Sequence, residues 1–281
     1  MGKRNRVLGF IKTLINRFNE DRVFDLASQL AYTFLFSLFP FLIFIFSVLP
    51  YIGLTPENAL NFIHQYVPPE LDTIIHSNIH HVLEKNSSLL SFGVIATIWP
   101  MASAIMTIKN VLNRAYEVEE NRSFFKAWAM AFIFTFATIF IIIIALILNV
   151  FGPMIGRIVF NGLGISLSLF HLWNLFRLLL SLIVIVIVIA CLYFVLPNKH
   201  LGLKDVYIGA LIAAIAWQIT SLLFSFYIER FGNYSRMYGT LAGVVITMTW
   251  FYITGFILVM GGEINAVIHK KVHPKETQDP T

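Results

Sequence analysis

The chain has 281 residues, of which 58% are hydrophobic and only 12% are charged. A soluble globular domain carries about 25% charged residues, so this composition excludes a water-exposed surface over most of the chain and indicates a membrane protein. The net charge of +5 does not indicate nucleic-acid binding, because the basic residues are spread over several segments and are not gathered among stacking aromatic side chains.

The first predicted element is an amphipathic helix within residues 1–25. Arg6, Lys12 and Arg17 lie outside its apolar arc. The arc comprises Val7, Leu8, Phe10, Ile11, Leu14, Ile15 and Phe18. Such a helix either lies on the inner membrane face or packs beneath the bundle as a cytoplasmic helix, and both interpretations remain open. The charged leader continues to Asp25, which is not typical of a cleaved signal peptide.

Six uncharged stretches follow, and each is at least as long as the roughly 20 residues that a helix needs to cross a membrane. They are 26–56, 86–108, 127–156, 178–198, 206–228 and 237–262. We therefore predict an all-α fold with six transmembrane helices within residues 26–267. Pro40 and Pro100 predict helix breaks in the first two stretches, either as packing kinks or as discontinuous helices along a substrate path.

The distribution of basic residues predicts the orientation. Most of the 20 lysine and arginine residues lie in the N-terminal segment, in 109–126, in 199–204 and in the tail 268–281. Because positive residues are retained on the cytoplasmic side, we expect both termini to be cytoplasmic, as expected for a multi-pass protein of the cytoplasmic membrane.

Residues 53–90 then form an outer loop with helical character. Asp72, His76, His80 and Glu84 are spaced four apart, which places them on one helix face. A solvated face is the commoner explanation of this pattern, and a zinc site at His76 and His80 is the weaker alternative. We expect no resident cofactor.

Two residues in or beside the apolar stretches are candidates for function, namely Gln218 and Glu263. Ionisable side chains at membrane depth tend to face the bundle interior or a water-filled cavity. We expect Glu263 to pair with an inner-loop arginine, or alternatively to cap the membrane exit beside Lys270 and Lys271.

Small residues predict close packing of the last two transmembrane helices. Gly239 and Gly243 have the spacing that lets two helix backbones approach closely, and Gly209 and Ala213 offer a similar face on the preceding helix. We interpret these residues as packing positions, with no chemical role.

Two polar segments are candidate sites. On the outer side, the segment "FGNYSRMYGTLAG" and its flank carry tyrosines suited to the membrane interface and arginines that can bind phosphate or carboxylate; these residues are Arg230, Tyr234, Arg236 and Tyr238. On the inner side, "LNRAYEVEENR" contains Asn113, Arg114, Glu117, Glu120 and Arg122. The outer segment predicts either a headgroup or anionic-ligand site or an ordered interfacial turn. The inner segment predicts either a gate or a salt-bridge knot between the second and third helices.

Several motifs in the same order resemble the YihY/virulence factor BrkB family of bacterial inner-membrane proteins. They are "DLASQLAYTFLFSLFPFL", "LNRAYEVEENRSFFK", "LPNKHLGLKDVYIGALIAAIAWQ", "FYIERFGNYSRMYGTLAGV" and "MGGEINA". The resemblance implies a six-helix membrane protein linked to serum resistance and envelope lipid phenotypes. The family once carried a ribonuclease BN label, which the sequence does not support.

The sequence contains no GxSxG, HExxH or phosphate-binding glycine loop, so we do not expect an enzyme. The favoured hypothesis is a translocator of lipid or another amphipathic anionic envelope molecule. The alternative is a non-transporting scaffold for envelope assembly or stress resistance. Expected partners are membrane lipids and either a second copy of the chain or an envelope protein.

Overall fold

The computed structural model describes residues 3–48, 87–146, 167–231 and 240–273. Within these residues the chain forms seven helices and no strand. The helices are α1 (Lys3–Glu20), α2 (Val23–Val48), α3 (Ser87–Ala115), α4 (Phe124–Leu146), α5 (Leu167–Val195), α6 (Leu203–Phe231) and α7 (Thr240–Val272).

The predicted all-helical membrane architecture is confirmed. In a bilayer the backbone must satisfy its own hydrogen bonds, which a helix does within one segment. Four helices are long and apolar enough to cross a membrane, at Val23–Leu42, Leu178–Val195, Leu203–Ile228 and Gly243–Val272, and a shorter apolar helix covers Phe124–Ala137. The count of six spans therefore stays a prediction, with four of its stretches matched in the described part of the chain.

The structure places both prolines, for which the sequence predicts either kinks or discontinuous helices, within continuous helices. Pro40 lies inside α2 and Pro100 inside α3, and both helices continue on either side of the proline. A proline in a helix interior removes one backbone donor, which membrane helices tolerate because neighbouring groups and small backbone adjustments satisfy the freed carbonyl. Neither proline separates its helix into two pieces.

The chain divides into two compact units. One contains residues 33–104, whose described part comprises the later part of α2 and the earlier part of α3. The other contains residues 1–32 and 105–281, and its largest helix contacts are those of α6 with α5 and with α7. All the polar contacts described below belong to this second unit.

Helices α6 and α7 approach most closely at Gly209 and Gly261. A Cβ atom at Gly209 would overlap the Gly261 carbonyl oxygen and the Asn265 amide, and one at Gly261 would lie 3.0 Å from the Gly209 carbonyl oxygen. Asn265 strengthens the crossing, since it accepts a hydrogen bond from the Gly209 N–H at 2.7 Å and donates one to the Val206 carbonyl at 2.9 Å. The predicted small face at Gly209 is thus a close backbone contact.

The other predicted glycine pair lies elsewhere on α7. A Cβ atom at Gly243 would meet nothing within 4 Å, and Gly239 is outside the described residues. Gly243 precedes Gly261 by 18 positions, which is about 27 Å along a helix.

Replacement of Gly209 by alanine is expected to destabilise the protein by about 1–3 kcal/mol, because the added methyl group must displace backbone atoms of α7. Gly243→Ala is the matched control, since its methyl group meets open space and alanine favours the helix. Thermal unfolding in detergent should show a lower midpoint for Gly209→Ala and no loss for Gly243→Ala. Equal midpoints for the two variants would contradict this packing.

Candidate functional site

Charged and amide side chains of the larger unit concentrate at one end of its helices, which we call the charged end. It is formed by the C-terminal ends of α1, α3, α5 and α7, the first turn of α6, and the connectors 116–123 and 196–202. The basic segments that the sequence assigns to a single membrane side, namely the N-terminal segment, 109–126, 199–204 and the end of α7, all contribute to it. The structure therefore brings together segments that are far apart in the chain.

Arg17 is the most connected of these side chains. It lies in the last turn of α1 and is 7% exposed. Its Nη1 donates to the Ala115 carbonyl at 2.7 Å and lies 3.5 Å from Glu263 Oε2, while its Nη2 pairs with Glu117. One guanidinium thus joins α1 to the end of α3, to the connector after it, and to α7.

Glu263 is the acidic partner within α7 and is 1% exposed. Its Oε1 has no hydrogen-bond partner among the described residues. The expected arginine partner is present, but it comes from α1 and not from the loop after α3. The two lysines of the alternative are engaged elsewhere, because Lys270 binds Glu117 at 3.0 Å and Lys271 lies 4.8 Å from the centre of the Phe10 ring.

Glu117 occupies a backbone position that usually favours glycine. Its φ is 55°, and a left-handed conformation costs an L-residue roughly 1–2 kcal/mol. The Glu117 N–H donates to the Arg114 carbonyl at 3.0 Å and the Val118 N–H to the Asn113 carbonyl at 2.9 Å, which is the Schellman end of a helix. A glutamate here places its carboxylate between Arg17 and Lys270.

The two cations determine the protonation of this carboxylate. Partial burial acts to raise the pKa of Glu117, but the hydrogen bond from Lys270 and the charges of Arg17 and Lys270 outweigh it. The pKa therefore lies below the ordinary value for glutamate, and Glu117 stays ionised at neutral pH.

A second group of contacts ties the connector after α3 to the end of α5. Arg122 donates to the Leu196 carbonyl at 3.1 Å and to the Pro197 carbonyl at 2.5 Å. Glu120 pairs at 3.0 Å with Lys109, which is only 3% exposed. These contacts join α3 to the end of α5, whereas the sequence analysis expected a knot between the second and third transmembrane helices.

Asn113 completes this second group. It donates to Glu120 at 3.0 Å and accepts a hydrogen bond from the Asn198 N–H at 2.7 Å. Burial acts to raise the pKa of Glu120, whereas hydrogen bonds from Lys109, the Arg122 N–H and Asn113 lower it below its ordinary value.

Of the remaining predicted site residues that the structure describes, Arg114 lies at the charged end and Gln218 does not. Arg114 is exposed and contacts α1 through Asp21 at 3.3 Å and the Glu20 carbonyl at 3.1 Å. Gln218 lies in the middle of α6, and its Oε1 is buried with no hydrogen-bond partner in the described part of the chain. The side chain of Arg230 and the residues Tyr234, Arg236, Tyr238, His76 and His80 lie outside the described residues.

Arg17 and Lys109 are the site residues that the sequence analysis missed. Arg17 lies outside the apolar arc of α1, which is typical of a solvated side chain. A buried glutamate in α7 requires a cation as partner. This requirement was the one feature of the sequence from which a role for Arg17 could have been predicted.

These features define an all-helical membrane protein with a buried ionic cluster at one end of its bundle. The chain belongs to the virulence factor BrkB family, whose model matches residues 14–281. It is 41% identical over 265 residues to the ribonuclease-like protein YfkH of Bacillus subtilis, covering 94% of this chain and 96% of that protein.

More distant relatives carry a membrane-protein description. A UPF0761 membrane protein of Alteromonas mediterranea is 25% identical over 275 residues, covering 94% of this chain and 89% of the relative. One of Vibrio campbellii is 26% identical over 280 residues, covering 95% and 84%. No solved structure matches the chain. The family expected from the sequence motifs is confirmed.

Replacement of Arg17 by methionine is expected to lower the free energy of unfolding by about 3–5 kcal/mol, because Glu263 is left buried without its cation. The double variant Arg17→Met/Glu263→Met should recover most of this loss. Lys12→Met, on the exposed part of α1, is the matched control. Thermal unfolding and proteolysis of α1 in detergent measure the effect, and a double variant no more stable than Arg17→Met would contradict the pairing.

The lowered pKa values of Glu117 and Glu120 predict a loss of stability in acid. A carboxylate with a depressed pKa in the folded state stabilises the protein above its unfolded pKa and loses that contribution as the pH falls through the folded pKa. The unfolding midpoint should therefore fall more steeply below about pH 4.3 in the native chain than in Glu117→Gln/Glu120→Gln. Glu119→Gln, an exposed neighbour, should retain the native pH profile, and parallel profiles for all three proteins would contradict the prediction.

Proposed function

We propose that the protein is a translocator that moves lipid or another amphipathic anion across the bacterial cytoplasmic membrane. In this proposal the charged end is the gate that closes the cytoplasmic side, and it is called the closure below. The observation that carries this proposal is the buried Arg17 guanidinium, which is shared between the carboxylates of Glu117 and Glu263. Such an arginine can bind the phosphate or carboxylate of a headgroup in the same forked geometry.

Stability alone gives little reason to keep this ion pair. Removing two charges from water is expensive, and well-packed apolar residues often replace a buried pair without loss. Charged residues in membrane helices are rare and mark substrate or ion pathways. We therefore propose that Arg17 and Glu263 act in binding the transported molecule.

The two carboxylates suit different steps. The Glu117 side chain is 52% exposed, whereas that of Glu263 is 1% exposed. An anion arriving from water can displace Glu117 from Arg17 at small cost, because Glu117 becomes fully hydrated and keeps Lys270 as a partner. The exchange weakens one of the contacts that hold α1, which opens the closure.

The proposed topology is six transmembrane helices with both termini in the cytoplasm. Its support is the meeting of four basic segments at one end of the bundle, as retention of positive residues on one side requires. The exposed apolar residues Leu8, Ile11 and Ile15 of α1 then lie against the inner leaflet.

We propose that transport, and not catalysis, is the activity, although one relative is named ribonuclease-like. Within the described residues, the cations of the charged end are held by carboxylates and backbone carbonyls. This arrangement is suited to a closure and not to an RNA backbone, whose binding uses a continuous basic surface with aromatic stacking. Membrane lipids are the proposed partners.

One observation favours a scaffold as the second candidate. Leu8 and Ile15 are 57% and 56% exposed on the face of α1 away from the bundle, where an envelope protein or a second copy of the chain could dock. In that case the contacts of Arg17 only fix α1, and no lipid moves.

Transport is tested in proteoliposomes containing a fluorescent phosphatidylglycerol, whose outward-facing fraction is measured by chemical quenching. The native protein should speed exchange between leaflets, and Glu117→Gln should lower the half-saturating lipid concentration several-fold, because it removes a competitor for Arg17. Arg17→Lys keeps the positive charge but loses the paired N–H donors of the guanidinium. It should slow exchange about tenfold, as expected when one charged hydrogen bond is lost.

Glu119→Gln and Lys12→Gln are the matched controls and should behave as the native protein. Exchange at the protein-free rate for phosphatidylglycerol, phosphatidic acid and a zwitterionic lipid alike would overturn the translocator and leave the scaffold. A Glu117→Gln protein with native transport would overturn the displacement step alone.

A further inference from the structure

Two histidines at the end of α7 face an aspartate at the start of α6. His269 lies in the last turn of α7, and His273 directly follows the helix, where its N–H still donates to the His269 carbonyl at 2.8 Å. The four-residue spacing therefore places both side chains on the same side. Asp205 lies in the first turn of α6. Each residue offers one ligand atom, and the three atoms lie within 4.8 Å of one another.

The distances fit a small tetrahedral ion. His269 Nδ1 and His273 Nε2 each lie 3.5 Å from the same Asp205 oxygen, Oδ1. Ligands about 2.0–2.1 Å from a tetrahedral zinc ion are separated by about 3.3–3.5 Å. Two of the three distances between the ligand atoms thus already have the length that a bound zinc ion requires.

Neighbouring groups orient the ligands. The second carboxylate oxygen of Asp205 accepts a hydrogen bond from the Gly202 N–H at 2.8 Å, which leaves Oδ1 directed at the two imidazoles. The His269 ring is 5% exposed and packs edge-on against Tyr116, with 6.1 Å between the ring centres. Metal sites depend on such outer contacts to fix their ligands.

The site is also accessible to water. The His273 side chain is 40% exposed, which provides an entry path and room for a water molecule as fourth ligand. The His269 and His273 rings lie 4.7 Å apart, centre to centre, so an ion can reach both from the same side.

We propose that Asp205, His269 and His273 form a binding site for a divalent zinc ion. Two imidazole nitrogens and one carboxylate oxygen are ligands that zinc takes readily, whereas magnesium and calcium prefer sites built from oxygen alone. The ion links the start of α6 to the end of α7 and so fastens two of the helices that form the charged end. This proposal does not depend on the transport activity.

The histidine spacing is visible in the sequence, but its partner is not. Asp205 precedes His269 by 64 positions, and only the antiparallel packing of α6 and α7 brings them together. The sequence analysis directed attention to His76 and His80, which have the same spacing, so the experiment must separate the two pairs.

The test is a zinc titration of the purified full-length chain after removal of metal with a chelator. Isothermal calorimetry should show binding of one zinc ion per chain, and zinc should raise the unfolding midpoint. His273→Gln and Asp205→Asn should each weaken binding at least tenfold. Cobalt added in place of zinc should give the strong visible absorption of a tetrahedral site, and His273→Gln should lose it.

The matched controls are His200→Gln, an exposed histidine in the connector before α6, and the double variant His76→Gln/His80→Gln. Both should bind zinc as the native chain does. Native binding in His273→Gln, loss of binding in the His76/His80 variant, or no zinc binding by the native chain would each overturn the proposal. His273→Gln tests the site without disturbing folding, because that side chain is partly exposed.

Discussion

The contact on which the charged end depends is the buried guanidinium of Arg17. It contacts a backbone carbonyl at the end of α3, a carboxylate in the connector and a carboxylate in α7. Because Glu263 is buried, removing the arginine leaves a charge with no compensation at a depth where water cannot supply it. The docking of α1 and the burial of Glu263 are therefore coupled through this one side chain.

The aromatic side chains around Arg17 make its position specific. Phe18 meets the rings of Phe24 and Phe256 edge-on, at 4.7 Å and 5.7 Å between centres. These contacts hold the end of α1 against α7, one position along the helix from Arg17. The apolar contacts and the ion pair therefore act on the same turn of α1.

Composition and apolar length were enough to predict an all-helical membrane protein, because a helix is the simplest way to satisfy backbone groups in lipid. The contacts of the charged end could not be predicted in the same way. A helical wheel assigns Arg17 to solvent, and its partner Glu263 lies 246 positions away. The prolines alone could not decide between a kink and a break, since a lost donor interrupts a helix only when nothing nearby compensates for it.

The close crossing at Gly209 and Gly261 bears on how the bundle can move. Backbone atoms meet there with no side chain between them, and Asn265 bonds directly to the α6 backbone. Sliding of α6 past α7 would have to break this contact, which favours joint movement of the two helices. The short junction of α1 with α2 includes Arg22, whose φ of 54° is a left-handed conformation that an L-residue adopts at a cost.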